Sequence, residues 1–235
     1  MTEQFRDAPI FDADQHMYET ADALTKFLPE KYSRAGENTE GLTLREMQGK
    51  SVEAPAATRK PEDRVKELDR QGVVEALNYP TLGSLVEHSS ADDPQLTLAI
   101  IHALNEWIHE HWGFDHLGRV FTTPIINLSE VDAAQRELEW VLDHGAKVAL
   151  IKPGPVNGLH GWLSPALPEF DPLWRDIEAV GLPIVLHASY PPLDDYVNKW
   201  EPPRTYDFIG DNARRFMGLP IANPDPAALR APAHA

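Results

Sequence analysis

Cysteine is absent from all 235 residues of the chain. Disulfides, thiolate metal sites and cysteine nucleophiles are therefore excluded, and a reducing compartment such as the cytoplasm is the expected location. Basic residues are also scarce, since 21 Lys and Arg stand against 37 Asp and Glu and give a formal charge of -16. Such a surface repels phosphate backbones and anionic lipids, so neither nucleic acid nor membrane is expected as a partner.

Long apolar runs are absent as well. No apolar stretch approaches the roughly 20 residues of a membrane-spanning helix. The N-terminus also lacks the basic region and apolar core of a secretory leader. The hydrophobic content of 42% is ordinary for a globular protein, so we expect one substantial, soluble domain.

Strand patterns alternate with helix patterns along the chain. Strands are predicted at 10–16, 73–80, 119–128, 147–153 and 182–187, and helices at 61–72, 92–112, 129–145 and 171–181. The fourth strand is almost continuously apolar, which is typical of a parallel strand buried on both faces. The alternation predicts an α/β fold with a parallel sheet.

The first strand ends in three polar side chains spaced two residues apart, Asp12, Asp14 and His16. Alternation along a strand places all three on one side. Carboxylates beside an apolar core need a partner, and a divalent cation is a suitable one. Imidazole nitrogen and carboxylate oxygen suit zinc, manganese or iron better than calcium. The alternative is a solvated loop in which the aspartates cap turns.

Later strands end in further candidate residues, Tyr79, Lys152 and His187. The carboxyl ends of parallel strands are where such folds bind ligands, which favours a common site with Asp14 and His16. Taken alone, His187 is better interpreted as a core histidine, and Lys152 equally well as a strand-end lysine reaching solvent.

Three histidines on the predicted helix 92–112, His102, His109 and His111, do not indicate a metal site. At helical spacing His109 and His111 point to different faces, so a solvated or rim position is expected.

Three motifs resemble the amidohydrolase-related branch of the amidohydrolase superfamily, the group containing aminocarboxymuconate-semialdehyde, resorcylate and dihydroxybenzoate decarboxylases. They are Phe11 to His16 after the first strand, Phe170 to Trp174 at a helix start, and Gly181 to His187 on the fifth strand. The resemblance covers residues 1 to about 197. It implies a (β/α)8 barrel that holds one divalent metal at the C-terminal mouth.

The resemblance also implies a ligand set. Asp14 stands in the first histidine position of the family's acidic residue followed by His-x-His, and His16 stands in the second; His187 matches the ligand of strand five. Zinc is the expected metal, with manganese or iron as alternatives. Lys152 and Glu19 are predicted to contact the substrate, and no catalytic acid or base is assigned.

The family pattern is incomplete in this sequence. The family's histidine after strand six and aspartate after strand eight have no counterpart, and nothing recommends Asp194, Asp195 or Asp207 as a replacement. Roughly three βα units are expected to be missing between Trp200 and Asp207.

The predicted fold is therefore an incomplete (β/α)8 TIM-barrel-like domain of about five parallel strands plus a C-terminal helix. One domain spans 1–235, with a long loop at 17–60, an irregular stretch at 190–206, a closing helix at 207–219 and a flexible tail at 220–235. Open sheet edges would need cover from the loop, the helix or a second subunit, so a homo-oligomer is one expected arrangement.

The expected function is that of a metal-dependent hydrolase or carboxy-lyase acting on a small organic acid, aromatic in the decarboxylase case. The alternative is a catalytically inactive truncated paralogue that serves as a binding module. A nucleotide-binding doubly wound sheet is disfavoured, because no glycine-rich phosphate loop follows the first strand.

Overall fold

The computed structural model describes residues 9–20, 22–32 and 55–187. The predicted closing helix 207–219, the stretch 190–206 and the tail 220–235 lie outside the described residues, as does most of the predicted loop 17–60. The single-domain prediction for 1–235 therefore stays a prediction.

Strands and helices alternate through the described part of the chain. The strands are β1 (Ile10–Met17), β2 (Val73–Pro80), β3 (Asp115–His116), β4 (Val120–Thr122), β5 (Ala149–Ile151), β6 (Val156–Gly158), β7 (Gly161–Leu163) and β8 (Ile184–Leu186). The α-helices are α1 (Pro61–Gln71), α2 (Gly83–Ser89), α3 (Pro94–His111), α4 (Val131–Asp143) and α5 (Asp171–Val180). Short 3-10 turns lie at Glu30–Tyr32, Ala56–Thr58 and Pro168–Phe170.

Parallel strands lie side by side in the order in which they occur along the chain. β1 pairs with β2, and β2 pairs with β4. The chain after β4 continues to Ile125, which bridges in parallel to Leu150 of β5, and β5 pairs with β8. Successive helices provide the crossovers, as in a repeated βα architecture. The predicted α/β fold with a parallel sheet is confirmed; within the described residues, β1 and β8 are not paired with each other.

Local sequence signals explain where most helices begin and end. Proline starts α1, and Gly72 ends it at φ 72°, a left-handed conformation that glycine adopts without strain. The Asp93 side chain accepts a hydrogen bond from Leu96 N at 3.0 Å and caps α3. The predicted start of α4 at Ser129 is wrong by one residue, because Glu130 is the N-cap and Ser129 N donates to Asn127 Oδ1.

The core of the described residues contains three apolar groups, of which two are large and the third packs α1 against the sheet around Leu68. One large group packs α3 against the sheet and contains the large buried rings of Trp107, Trp112 and Phe114. The other packs α4 and α5 against β5 and includes Leu138 and Phe170. Ala23 and Leu24, from the predicted loop 17–60, are also buried in the first group.

Several elements depart from the sequence predictions. Helix α2 and the β6–β7 hairpin are additional to the helices and strands that the sequence predicts, and the strand expected at 119–128 is regular only over β4. The fully apolar β5 is buried, as predicted, but Leu186 on β8 is 44% exposed. In the part of the chain described, no helix combines the length and apolar character needed to cross a membrane.

Candidate metal centre

A β-bulge in β1 decides which of its polar side chains face the site. Asp12 pairs with Ala76 and Gln15 pairs with Asn78, so three steps on β1 oppose two steps on β2. The extra residue reverses the alternation of side chains. Asp12 therefore lies on the face opposite to His16, and the prediction that Asp12, Asp14 and His16 share one face is wrong for Asp12.

The bulge is held by hydrogen bonds behind the site. Asp12 Oδ1 accepts from Asp14 N at 3.0 Å, and Asp12 Oδ2 accepts from the Gln15 amide. Arg64, buried on α1, donates to the Gln15 side-chain oxygen and to the His16 carbonyl. Gln15 and Arg64 support β1 away from the metal ligands, so the strand-end rule that predicts the ligands does not identify them.

The three predicted metal ligands meet at the carboxyl ends of β1 and β8. His16 Nε2 lies 3.1 Å from His187 Nε2, His187 Nε2 lies 3.2 Å from Asp14 Oδ1, and His16 Nε2 lies 3.6 Å from the same oxygen. Among the described residues, these form the one group of three His, Cys, Asp or Glu side chains suited to hold a metal.

The size of this triangle fits a small divalent cation. Ligand bonds of about 2.0–2.1 Å in a tetrahedral site correspond to ligand-to-ligand distances of about 3.3–3.4 Å. The three observed separations, 3.1, 3.2 and 3.6 Å, bracket that value. Two imidazole nitrogens and one carboxylate oxygen also form a donor set that zinc, manganese and iron accept.

The electrostatic environment keeps His16 ready to act as a ligand. Burial lowers the pKa of His16, and the neighbouring His187 and Arg64 lower it further, whereas Asp14 acts in the opposite direction. The neutral imidazole is therefore favoured near neutral pH, which is the form that binds a metal.

Tyr79, at the end of β2, forms one wall of the site. Its ring centroid lies 4.7 Å from that of His187 and 5.8 Å from that of His16. Burial, together with the charge of Asp14, raises the pKa of Tyr79, so the phenol stays protonated. The strand-end prediction correctly brought Tyr79 to this position.

Thr81 contacts His16 at Nδ1, and Glu19 binds the backbone that follows Thr81. Thr81 Oγ1 donates to Met17 O at 2.7 Å and lies 3.3 Å from His16 Nδ1. No sequence signal marks Thr81, because any residue can follow a strand. Substrate contact by Glu19 stays a prediction, but the observed bonds favour a supporting role: Glu19 Oε1 accepts from the backbone N–H groups of Leu82 at 2.7 Å and Gly83 at 3.1 Å.

The Glu19 carboxyl group is buried. Burial raises the pKa of Glu19 to about 7, although several backbone hydrogen bonds act in the opposite direction. Its second oxygen, Oε2, has no hydrogen-bond partner among the described residues.

Lys152 lies just after β5 and is only 5% exposed. The alternative of a strand-end lysine reaching solvent is therefore wrong. Glu87 of α2 is also buried and accepts a hydrogen bond from Asn127 Nδ2 at 2.6 Å. Burial raises the pKa of Glu87, and the charge of Lys152 opposes that shift. Glu87 was not foreseen because α2 was not, and substrate binding by Lys152 stays a prediction.

The three helix histidines occupy other positions. His102 Nδ1 lies 2.8 Å from Glu137 Oε2 between α3 and α4. The His109 ring contacts that of Phe114, and the His111 ring stacks on Trp107.

No protein-family model matches the chain, and no curated protein matches it. Among solved structures, the chain is similar to an amidohydrolase from Mycobacterium avium subsp. paratuberculosis K-10, with a TM-score of 0.68 and 24% sequence identity. That similarity covers 88% of this chain and 66% of the amidohydrolase.

Two decarboxylases match less closely. A 2,6-dihydroxybenzoate decarboxylase from Rhizobium gives a TM-score of 0.45 at 18% identity, over 86% of this chain and 54% of that one. A dihydroxybenzoic acid decarboxylase from Polaromonas sp. JS666, with bound manganese and 2-nitroresorcinol, gives 0.46 at 16% identity, over 86% and 53%.

The first of these similarities shows that the chain shares its fold with an amidohydrolase, as the resemblance of the three sequence motifs implies. The chain spans just under two thirds of the amidohydrolase and about half of each decarboxylase.

Proposed function

We propose that this chain is a metal-dependent enzyme of the amidohydrolase type that hydrolyses or decarboxylates a small organic acid. One observation carries the proposal: Asp14, His16 and His187 converge within ligand distance although 171 residues separate the two histidines. The amidohydrolase-like fold supports it, because the site lies at the carboxyl ends of parallel strands, where such folds bind ligands.

The three side chains would hold one divalent ion, with zinc favoured by the two nitrogen ligands and manganese or iron as alternatives. When bound, the ion would polarise a carbonyl or carboxylate oxygen of the substrate or lower the pKa of a coordinated water. Catalytic zinc sites commonly use three protein ligands, which leaves a position for water or substrate.

Residues around the three ligands are proposed to control how the substrate approaches and binds. The Asp14 side chain is 75% exposed, so substrate would approach from that side. Tyr79 is buried, and its ring packs against both imidazoles. Lys152, the cation at the end of β5, is proposed to attract the carboxylate of the substrate, because a buried positive charge acts strongly on an anion.

Metal binding is the first experiment. The full chain, stripped with a chelator and titrated with Zn²⁺ or Mn²⁺ by calorimetry, is expected to bind one ion. His16→Ala and His187→Ala are expected to lose most of this binding, whereas the control His109→Ala keeps it. Equal metal retention in all three variants would refute the site.

Turnover is the second experiment. The metal-loaded chain is assayed on hydroxybenzoates for release of CO₂, and on simple esters and lactones for release of acid. Metal-dependent turnover of either group supports the enzyme and separates decarboxylation from hydrolysis. Stoichiometric metal without turnover on either group would support the catalytically inactive binding module instead.

A further inference from the structure

Thr81 contacts the site histidine on the side away from the proposed metal. It follows directly after β2, and its Oγ1 lies 2.7 Å from Met17 O and 3.3 Å from His16 Nδ1. A carbonyl oxygen can only accept, so the single hydroxyl proton of Thr81 is directed to Met17. The contact with His16 then requires that Nδ1 carries a proton and donates it to Thr81 Oγ1.

This hydrogen bond has a consequence for the other ring nitrogen. A neutral imidazole carries one N–H, so protonation of Nδ1 leaves a lone pair on Nε2. Nε2 is the atom that faces Asp14 Oδ1 and His187 Nε2. We propose that Thr81 is a positioning residue that fixes the tautomer and ring orientation of His16 and so presents Nε2 to the cation. The inference rests on the proposed metal-dependent function and deepens it.

The segment that carries Thr81 is itself firmly held. The next two N–H groups, of Leu82 and Gly83, donate to the buried Glu19 carboxylate. Gly83 is packed so tightly that an added Cβ would lie 2.7 Å from Ile125 Cδ1 and 2.8 Å from Leu104 Cδ2. Thr81 is thus a fixed acceptor, as expected for a group that orients a metal-binding histidine.

The tautomer can be measured without any metal. Nitrogen NMR of imidazole-labelled, metal-free protein at about pH 8, well above the usual histidine pKa of about 6.5, distinguishes the two ring nitrogens; His16→Gln assigns the signals. In the wild type, we expect a protonated Nδ1 and an unprotonated Nε2 on His16. In Thr81→Val, which keeps the shape but not the hydroxyl, this preference is expected to disappear. A wild-type His16 with its proton on Nε2 would overturn the proposal.

Metal affinity provides the second readout. Loss of a supporting hydrogen bond typically weakens metal binding about 10–100-fold, and we expect Thr81→Val to lose Zn²⁺ affinity by that factor. Thr81→Ser retains the hydroxyl and is expected to bind nearly as tightly as the wild type. Thr97→Val is the matched control, because the Thr97 hydroxyl also donates to backbone carbonyls, those of Ser90 and Asp93, but on α3. It is expected to keep wild-type affinity.

Wild-type affinity in Thr81→Val would overturn the positioning role. If that variant fails to fold, the wild-type tautomer decides: a protonated Nδ1 supports the role, and a protonated Nε2 refutes it. A wild-type chain that binds no Zn²⁺ would refute the proposed function, while the metal-free tautomer would still decide the role of Thr81.

Discussion

Two histidines that each have a carboxylate neighbour have pKa values shifted in opposite directions: that of His16 is lowered, and that of His102 is raised. At the strand ends, burial and the adjacent His187 lower the pKa of His16 despite the nearby Asp14. Between α3 and α4, the hydrogen bond of the His102 imidazole to Glu137 outweighs burial and raises the pKa of His102. Both histidines have an acidic neighbour, so the presence of a carboxylate alone does not determine the charge of a histidine.

Distance and exposure to solvent explain why Glu137 acts more strongly on His102 than Asp14 does on His16. Glu137 approaches His102 to 2.8 Å and its side chain is only 14% exposed, so the attraction is little screened. Asp14 lies 3.6 Å from His16 and is 75% exposed, so water weakens its effect. The first arrangement favours an ion pair between two helices, and the second favours a neutral nitrogen able to bind a cation.

The largest expected effect is a loss of metal affinity, which should follow from changes at the strand-end histidines and not from changes at His102. His187→Ala removes one of three ligands, so Zn²⁺ affinity is expected to fall by more than about 100-fold, beyond the loss typical of a supporting contact. His102→Ala alters the other group and is expected to leave affinity unchanged in the same titration. A comparable loss of Zn²⁺ affinity in both variants would contradict the assignment of metal binding to the strand-end group alone.

The next effect concerns stability on the helix side. Asn105 bonds both backbone groups of Ile125, at 2.9 Å to N and 2.8 Å to O, and also donates to Glu137 Oε1. Asn105→Ala would leave these buried groups unpaired and is expected to cost about 2–4 kcal/mol in urea unfolding. A free energy of unfolding equal to that of the wild type would show that water replaces the hydrogen bonds of the Asn105 amide.

Glu19 is expected to make stability depend on pH. Its pKa is raised by burial to about 7 from an ordinary 4.5, so the folded state binds the proton more tightly than the unfolded state does. Stability should therefore fall as pH rises from about 4.5 to 7, by up to about 3 kcal/mol. Glu19→Gln is expected to flatten this slope in unfolding curves. Identical slopes in both proteins would contradict the assignment.

The smallest effect tests His102 itself. Since its pKa is raised in the folded state, the stabilisation is complete below the usual value of about 6.5 and is lost as pH rises through the folded pKa. The side chain is 42% exposed, so the contribution should be under about 1 kcal/mol. The stability difference between the wild type and His102→Gln should shrink from pH 6 to pH 9. A stability difference that grows with pH would mean that the pKa of His102 is lowered, not raised, in the folded state.

The sequence predicted much of this fold because the relevant signals are local. Glycine at the ends of α1 and α5, proline near their starts, and the apolar run of β5 act through nearby backbone and burial. The strand-end rule also brought Asp14, His16 and His187 to one place. Helix α2 escaped prediction because its few residues lack a clear apolar period.

The sequence by itself determined the kinds of donor atom available, two imidazoles and carboxylates with no thiol, and the order of strands that carry them. Tertiary structure decided that Asp14 faces the site while Asp12 turns away, because the bulge exists only in the pairing of β1 with β2. It also placed Thr81 against His16 Nδ1. Register and ring orientation depend on neighbours distant in the chain, and no local pattern of residues encodes them.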